Sequence, residues 1–506
     1  MNQNNISAAE LFLRVRELLI LPDLEPKTRN KMMHDTLILC CHEGVKETKQ
    51  AFGNLFSQVD YLCKAHGIKV ADKIAIQTMR RHSNSQEPLS SEDLKYDARA
   101  LTLFISAVFG VDVPHELNVL IPHTNRPYQK GLEINNRRIR CIVKNWDSDF
   151  IRVDIDQDAD EEEYLVQLKD EENHIDHTYL WDILKEGMQL NLLDCQVKQP
   201  IITPRLIVVE PDYLVDISSI ATCFTAFGHH PLLYLLNQMK PRANTQATLL
   251  GNFAGAALDD IINTNGKYQM NETIKTNFRE KALEFCTCPW FDAKKFYTDA
   301  NQQAFNLQQV VDILFPRTAS QAQMSAFRGE SLYDRKKAIL EPSFVCEALG
   351  IQGRVDLMTT DCKLLVEQKS GRNMNIETHQ VDPGYHSYQL EPHYVQLLLY
   401  YGVLQHNFKL SNDRVNIRLL YSKYQPQDGL MVVAYYQKLF KEAIEYRNQL
   451  VAASFEIAKE GFEHALNEFT PDVLNVAGTQ DFFYNKYLKP QIEAITSPLH
   501  SLSPLE

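Results

Sequence analysis

The sequence lacks most of the features that would assign it a class at once. None of its apolar stretches approaches the ~20 residues that a helix needs to span a bilayer. The longest, Leu397–Leu404 and Leu430–Tyr436, are far too short, so no membrane partner is expected. Only 19 Gly and 21 Pro occur in 506 residues, which excludes collagen-like and low-complexity architectures. Ten cysteines are scattered without a dense framework. That argues for reduced thiols and an intracellular, cytoplasmic protein. No G-x-x-x-x-G-K-S/T phosphate loop occurs anywhere, so the chain is not expected to hydrolyse ATP. The first residues also lack the basic start and unbroken apolar stretch of a secretory leader. Arg14, Arg16 and Glu17 interrupt the apolar positions, and the segment reads as an amphipathic helix.

What is present is ordinary globular material, 44% hydrophobic and 23% charged. The length suggests about three domains at ~150 residues each. The net charge of −13 argues against a protein that coats nucleic acid through a global basic surface. More than half of that charge lies in residues 154–163, DIDQDADEEE, which read as a solvated loop. A local basic groove stays compatible with the remainder.

Four regions follow one another. Residues 1–115 read as helical, with Leu11, Leu13, Val15, Leu18 and Leu19 at helical spacing, then Leu37, Ile38, Cys41 and Val45. Ser90-Ser91-Glu92-Asp93 resembles a cap for a helix through Ala98–Val108, and Arg80–Leu89 reads as a loop. Cys40-Cys41-His42-Glu43 is better read as helix residues than as a metal site, because adjacent helical side chains point about 100° apart. Residues 116–210 carry short alternating runs at Arg138–Val143, Phe150–Ile155, Tyr164–Leu168, Leu190–Val197 and Ile201–Val209. With a helix expected at Asp182–Glu186, they suggest a small OB-like β-barrel. Residues 211–437 mix helices and strands. Residues 438–506 return to helix through Tyr487 and end in a Pro- and Ser-containing tail, read as a linker or as the cut end of a longer chain.

Chemistry concentrates in Gly350–Gly371, GIQGRVDLMTTDCKLLVEQKSG. Ile351–Met358 reads as one strand, Lys363–Lys369 as the next, and Thr359–Cys362 as the turn between them. Alternation along a strand puts Glu367 and Lys369 on one face and Gln368 on the other, with Asp356 brought close by the hairpin. Charges at the ends of apolar strands are costly unless they are paired or bind metal. Two carboxylates and a lysine suit metal-assisted phosphodiester hydrolysis: the carboxylates hold Mg²⁺ or Mn²⁺, and the lysine orients or helps deprotonate water. The bare Asp…Glu-x-Lys pattern is also compatible with an exposed ion-paired hairpin. Downstream, Glu391–Gln405 reads as a helix with Pro392 in its first turn, and Gln396 and Tyr400 project from one face.

In order, Gly353-Arg354-Val355-Asp356, then Glu367-Gln368-Lys369-Ser370-Gly371-Arg372, then Gln396-x-x-x-Tyr400 resemble the RecB-type branch of the PD-(D/E)XK nucleases. The Glu-x-Lys-Ser-Gly-Arg form is most similar to the nuclease part of the nuclease–helicases that process Okazaki fragments. Asp216–Ile220 with Cys223, and Leu250–Gly255, are similar to that family's domain entry and first-helix motif. The resemblance covers roughly residues 205–430, and a preceding barrel fits the same layout. It implies a multidomain α+β chain. A restriction-endonuclease-like mixed sheet flanked by helices would follow a helical region and the OB-like barrel. It also implies that Asp356, Glu367 and the backbone carbonyl of Gln368 hold the metal, that Lys369 is catalytic, and that Gln396, Tyr400, Arg354 and Arg372 meet the nucleic-acid strand.

Two departures stand out. Where the family has a histidine in its first helix, Gly255-x-x-x leads to Asp259, followed by Asp260. Asp259, preferred narrowly over Asp260, would replace the imidazole as a hard ligand; otherwise the third ligand is absent and metal affinity is weak. Many relatives also hold a 4Fe–4S cluster. No cysteine follows Cys362, so no iron–sulfur cluster of that layout is expected, and the lone Cys286-x-Cys288 does not suggest zinc. The expected activity is metal-dependent hydrolysis of DNA, on single-stranded ends or flaps, in repair, replication or recombination, with a helicase motor as a candidate partner. The alternative is a catalytically weak or inactive nucleic-acid-binding or assembly module.

Overall fold

The computed structural model describes residues 6–21, 24–48, 52, 55–84, 88–126, 137–155, 163–171, 174–225, 228–239, 244–264, 267–381, 387–410, 415–461, 482 and 484–500. Of the acidic run expected as a solvated loop, Asp154 and Ile155 end a strand and residues 156–162 lie outside the described residues, as do residues 462–481 and the tail from 501. The chain divides into two compact units. One is Met1–Asp212 with Phe455–Glu460, and the other is Tyr213–Ser454 with Gly461–Glu506. No helix among the described residues is long and apolar enough to cross a membrane.

The first unit begins with helices α1 (Ala8–Ile20), α2 (Pro26–Gly44), α3 (Leu55–Ala65), α4 (Val70–Asn84), α5 (Ser91–Phe109) and α6 (His115–Asn118). Ser7 and Ser90 each start a helix through a reciprocal capping box, with Glu10 and Asp93. Their apolar faces meet in one core that contains Leu11, Val15, Met33, Leu37 and Leu101. Leu13, expected inside, is half exposed. The loop expected at Arg80–Leu89 begins later than its polarity suggested, because α4 continues to Asn84. Its arginine is held in the helical register: Arg80 donates to Gln77 three residues back, at 2.7 Å.

Strands follow: β1 (Arg138–Trp146), β2 (Phe150–Ile155), β3 (Tyr164–Gln167), β4 (Lys169–Asp170), β5 (Ile175–Asp176), β6 (Gln189–Leu193), β7 (Gln196–Lys198), β8 (Ile201–Thr203) and β9 (Leu206–Val209). Seven of them form one sheet in the order β7-β8-β3-β2-β1-β6-β9. The expected barrel is therefore not closed: β7 and β9 end the order and do not pair with each other. The two long runs expected after Leu190 each break in two, at Asp194, which has a positive φ of 50°, and at Pro204-Arg205. The expected helix at Asp182–Glu186 is instead a 3₁₀ turn at Thr178–Asp182. Asp176 stabilises its start by accepting from the backbone N–H of Thr178, at 2.9 Å.

The second unit opens with β10 (Val215–Asp216), α7 (Ile217–Ala221), β11 (Phe224–Thr225), β12 (Gly228–His229), α8 (Leu232–Met239) and α9 (Gln246–Asn263). Helices α10 (Met270–Glu280), α11 (Ala282–Cys286), α12 (Ala293–Leu314) and α13 (Ala319–Phe327) come next. Then come β13 (Ala338–Leu340), β14 (Ser343–Cys346), β15 (Ile351–Arg354), β16 (Leu357–Thr359), β17 (Leu364–Lys369), α14 (Met374–Thr378) and α15 (Glu391–Phe408). The remainder is β18 (Asn416–Tyr421), α16 (Pro426–Gly429), β19 (Leu430–Val432), α17 (Gln437–Glu460) and α18 (Lys489–His500). Pro498, expected in a linker, thus lies within a helix.

The central sheet has the order β13-β16-β17-β18-β19, with β17 and β18 parallel and the other pairs antiparallel. Helices α9 and α12 pack on the side that presents Leu364, Val366 and Leu420. A smaller sheet, β10-β15-β14, lies beside it in sequence. The expected continuous strand Ile351–Met358 is in fact two strands in two sheets. The chain changes sheets at Val355-Asp356, between β15 and β16. The unit is mixed α/β, as the sequence suggested in outline.

Candidate functional site

The change of sheet sets Asp356 at the mouth of the β16–β17 hairpin. Its Oδ2 accepts the backbone N–H of Gln368 at 2.6 Å. Register carries the rest: Leu357 pairs with Val366, so Asp356 falls beside the segment Glu367-Gln368. Glu367 is only 3% exposed, and its Oε1 accepts from Lys369 Nζ at 2.8 Å. The same ammonium donates to Gln396 Oε1 at 2.8 Å. Asp356, Glu367 and Lys369 are therefore brought together, with Glu367 and Lys369 on one face of β17 as alternation requires.

Electrostatics mark the same spot. Burial raises Asp356 above the ordinary carboxylate range, against the opposing pull of the Gln368 N–H and Lys369. Burial and the neighbouring Asp356 charge push Glu367 up to about 8, again against Lys369. The second oxygen of Glu367, Oε2, is buried and has no hydrogen-bond partner among the described residues. A buried, unpartnered carboxylate oxygen is costly.

The other side of β17 is neutral. Gln368 Nε2 donates to Ser422 Oγ at 2.7 Å, and Ser422 Oγ donates to Gln303 Oε1 at 2.6 Å. Gln303 Nε2 donates to Ser370 O at 3.0 Å, and Asn306 Nδ2 to Ser422 O at 3.0 Å. Gln303 and Asn306 sit on one face of α12 and fix the ends of β17 and β18. Sequence reading missed this network. Its signal was a pair of amides three residues apart on an otherwise apolar helix face.

Gln396 and Tyr400 share a face of α15, and both are buried and hydrogen-bonded within the unit. Gln396 is 9% exposed and holds Lys369. Tyr400 is 3% exposed, and its hydroxyl donates to the backbone carbonyl of Arg354 at 2.7 Å. Apolar neighbours such as Leu397 and Tyr401 enclose the helix, which is why both polar tips turn inward. The tyrosine also explains Gly353, since a Cβ there would meet Tyr400 Cε1 at 2.9 Å. Arg354 and Arg372 are exposed, but each is tied to a carboxylate, Glu341 at 2.9 Å and Glu377 respectively.

Asp259 and Asp260 part company on α9. Asp260 accepts from Thr273 Oγ1 at 2.5 Å. Asp259 is raised to about 7 by burial and by the charges of Glu341, Asp260 and Asp356. It therefore approaches the site from the Asp356 side. It does not complete a ligand cluster, because no three His, Cys, Asp or Glu side chains among the described residues form a metal-holding group. The remaining donors, two carboxylates and the carbonyl of Gln368, are hard oxygens suited to Mg²⁺ or Mn²⁺. The unpartnered Glu367 Oε2 is the observation that fits a cation there.

Earlier on α15, sequence reading also missed His393, one turn before Gln396. Of the cysteines, Cys223 and Cys288 are buried and Cys286 is exposed, and no disulfide joins the described residues. No family model matches the chain, and no curated protein matches it either.

Proposed function

We propose that the second unit is a metal-dependent nuclease that hydrolyses DNA phosphodiesters, with a restriction-endonuclease-like arrangement of the central sheet. The observation that carries the reading is the buried Asp356–Glu367–Lys369 constellation with an unpartnered carboxylate oxygen. Asp356, Glu367 and the Gln368 carbonyl are the residues that would hold Mg²⁺ or Mn²⁺. The cation would supply charge neutralisation at the phosphate and a lower pKa for water. Lys369 presents its ammonium beside the carboxylates, where it orients water and balances developing negative charge. Gln396 keeps that ammonium in place, and the Gln303–Ser422–Gln368 network keeps the strand in place. Single-stranded ends or flaps are the substrates the sequence resemblance favours. A helicase motor is the partner it favours.

A second reading rests on the absence of a three-carboxylate group among the described residues. In it, the unit binds or assembles on DNA without efficient turnover.

The deciding experiment is cleavage of a labelled single strand, duplex and flap in Mg²⁺, Mn²⁺ and EDTA, with wild type and Lys369→Ala side by side. Metal-dependent cleavage that Lys369→Ala abolishes, with DNA binding kept, is the expected result. Cleavage retained in a clean Lys369→Ala preparation would sink the assignment. Binding without cleavage by wild type in either metal would favour the second reading.

A further inference from the structure

Tyr421 in β18 stands opposite Lys369 in β17 in the parallel register. The two side chains therefore emerge on the same face of the sheet, on strands ~4.8 Å apart. Helix α15 covers both. Gln396 reaches Lys369, and His393, one turn earlier, places Nδ1 3.0 Å from Tyr421 Oη.

This hydrogen-bond chain has a direction. The backbone N–H of Leu390 already donates to Tyr421 Oη, at 3.0 Å. The tyrosine's own proton then needs an acceptor: His393 Nδ1 lies 3.0 Å away, while the Asn373 side chain, also beside the hydroxyl, already spends its oxygen on the N–H groups of Asn375 and Ile376. Nδ1 accepts, so a neutral ring carries its proton on Nε2. Burial, aided by the nearby Lys369 charge, lowers the ring's pKa to about 4, which keeps it neutral at physiological pH. Nε2 has no acceptor among the described residues, yet it is not among the buried atoms sealed from solvent. A fixed N–H donor next to the lysine is thus left open.

We propose that His393 contacts the substrate, with its Nε2–H donating a hydrogen bond to a non-bridging oxygen of the phosphodiester bound beside Lys369. The inference rests on the nuclease reading and adds a residue to it. A neutral donor suits this position. It stabilises negative charge on the phosphate without adding a second cation next to the ammonium, where like charges would repel. Tyr421 and Leu390 act as positioning groups that hold the tautomer.

The test compares wild type, His393→Phe and His393→Gln on a labelled single strand in Mg²⁺, with melting temperatures measured alongside. Phenylalanine keeps a ring of similar size and removes both nitrogens. Glutamine keeps an acceptor for Tyr421 and an N–H donor. Loss of one preorganised donor should lower kcat of His393→Phe about 100- to 1000-fold with little change in KM. His393→Gln should recover most of the rate, which a packing role would not predict. In parallel, the ¹⁵N imidazole spectrum of wild type in EDTA should show Nε2 protonated and Nδ1 bare, with the Nε2–H signal shifting when the oligonucleotide is added. Full activity of folded His393→Phe, a proton on Nδ1, or an Nε2–H signal indifferent to the oligonucleotide would each overturn the proposal. If wild type does not cleave, the nuclease reading falls by itself. A shifted Nε2–H signal would then still uphold the phosphate contact, and an unshifted one would remove it too.

Discussion

Successive residues of β17 point to opposite sides of the sheet, and the two sides are satisfied to different degrees. On one side Gln368 enters a neutral network in which Ser422, Gln303 and Asn306 are linked by bonds of 2.6–3.0 Å. On the other, Glu367 shares one oxygen with Lys369 and leaves the other without a partner among the described residues. Both sides are buried, so solvent access does not explain the contrast. A scaffold gains from complete pairing, because every unpaired buried group costs about 1–3 kcal/mol. Incomplete pairing persists where a ligand completes it, and strain of this kind collects at functional sites. The difference teaches which face of the strand holds the sheet together and which face works.

The strongest way to break the comparison is to neutralise the working face. Glu367→Gln keeps the shape and removes the carboxylate. Cleavage should fall by about 1000-fold, in line with the loss of a group central to charge stabilisation. Melting temperature should rise, because burying that carboxylate is unfavourable enough to push its pKa to about 8. A calorimetric scan beside the cleavage assay checks both signs. A fall in both activity and stability would make Glu367 a structural residue.

The same truncation on the scaffold face should do the reverse. Ser422→Ala strands Gln368 Nε2 and Gln303 Oε1, and it should cost about 2 kcal/mol in a urea titration. Cleavage measured well below the melting temperature should change less than about tenfold, since no group at the carboxylates is lost. Gly353→Ala belongs to this class. Its new Cβ would sit 2.9 Å from Tyr400, and the overpacking should cost about 1–3 kcal/mol.

Period-two alternation made the charged face legible in the sequence. Glu367 and Lys369 are two residues apart, and that spacing survives any tertiary detail. The neutral face was not legible. Gln303, Ser422 and Gln368 are separated by 54 to 119 residues, and only the packing of α12 on the sheet brings them together. The role of α15 was half legible. Its helical spacing aligned Gln396 with Tyr400, but side-chain direction depends on what covers the helix, and both groups turn inward. The strand break at Asp356 was hidden for a similar reason. Gln352, Arg354 and Asp356 alternate with Ile351, Gly353, Val355 and Leu357 as in one continuous strand, and nothing local signals that two sheets divide it. In the first unit, alternation located the strands but not closure, because sheet edges are decided by partners distant in sequence.

The smallest effect concerns how α15 is kept over the working face, and it sets two histidines against each other. His229 places Nε2 2.6 Å from Glu391 Oε2, in the first turn of α15, and Nδ1 2.6 Å from Glu442 Oε1 of α17. Two carboxylates need two donors, so this ring is an imidazolium, whereas His393 has one carboxylate-free acceptor contact and stays neutral. Burial alone would lower the pKa of His229, but Glu391 and Glu442 outweigh it and raise the value to about 9. The sign follows from linkage. A group raised on folding from about 6.5 contributes its full stability below pH 6.5 and loses it as pH climbs through 9. Wild type should therefore lose about 1–2 kcal/mol more between pH 6.5 and 9.5 than His229→Gln does, as expected for charge-assisted bonds at a partly exposed site. Denaturant titrations at stepped pH read the difference directly. Parallel pH dependence in the two proteins would mean that the clamp is not ionic, and α15 would then be held over the carboxylates by its apolar contacts alone.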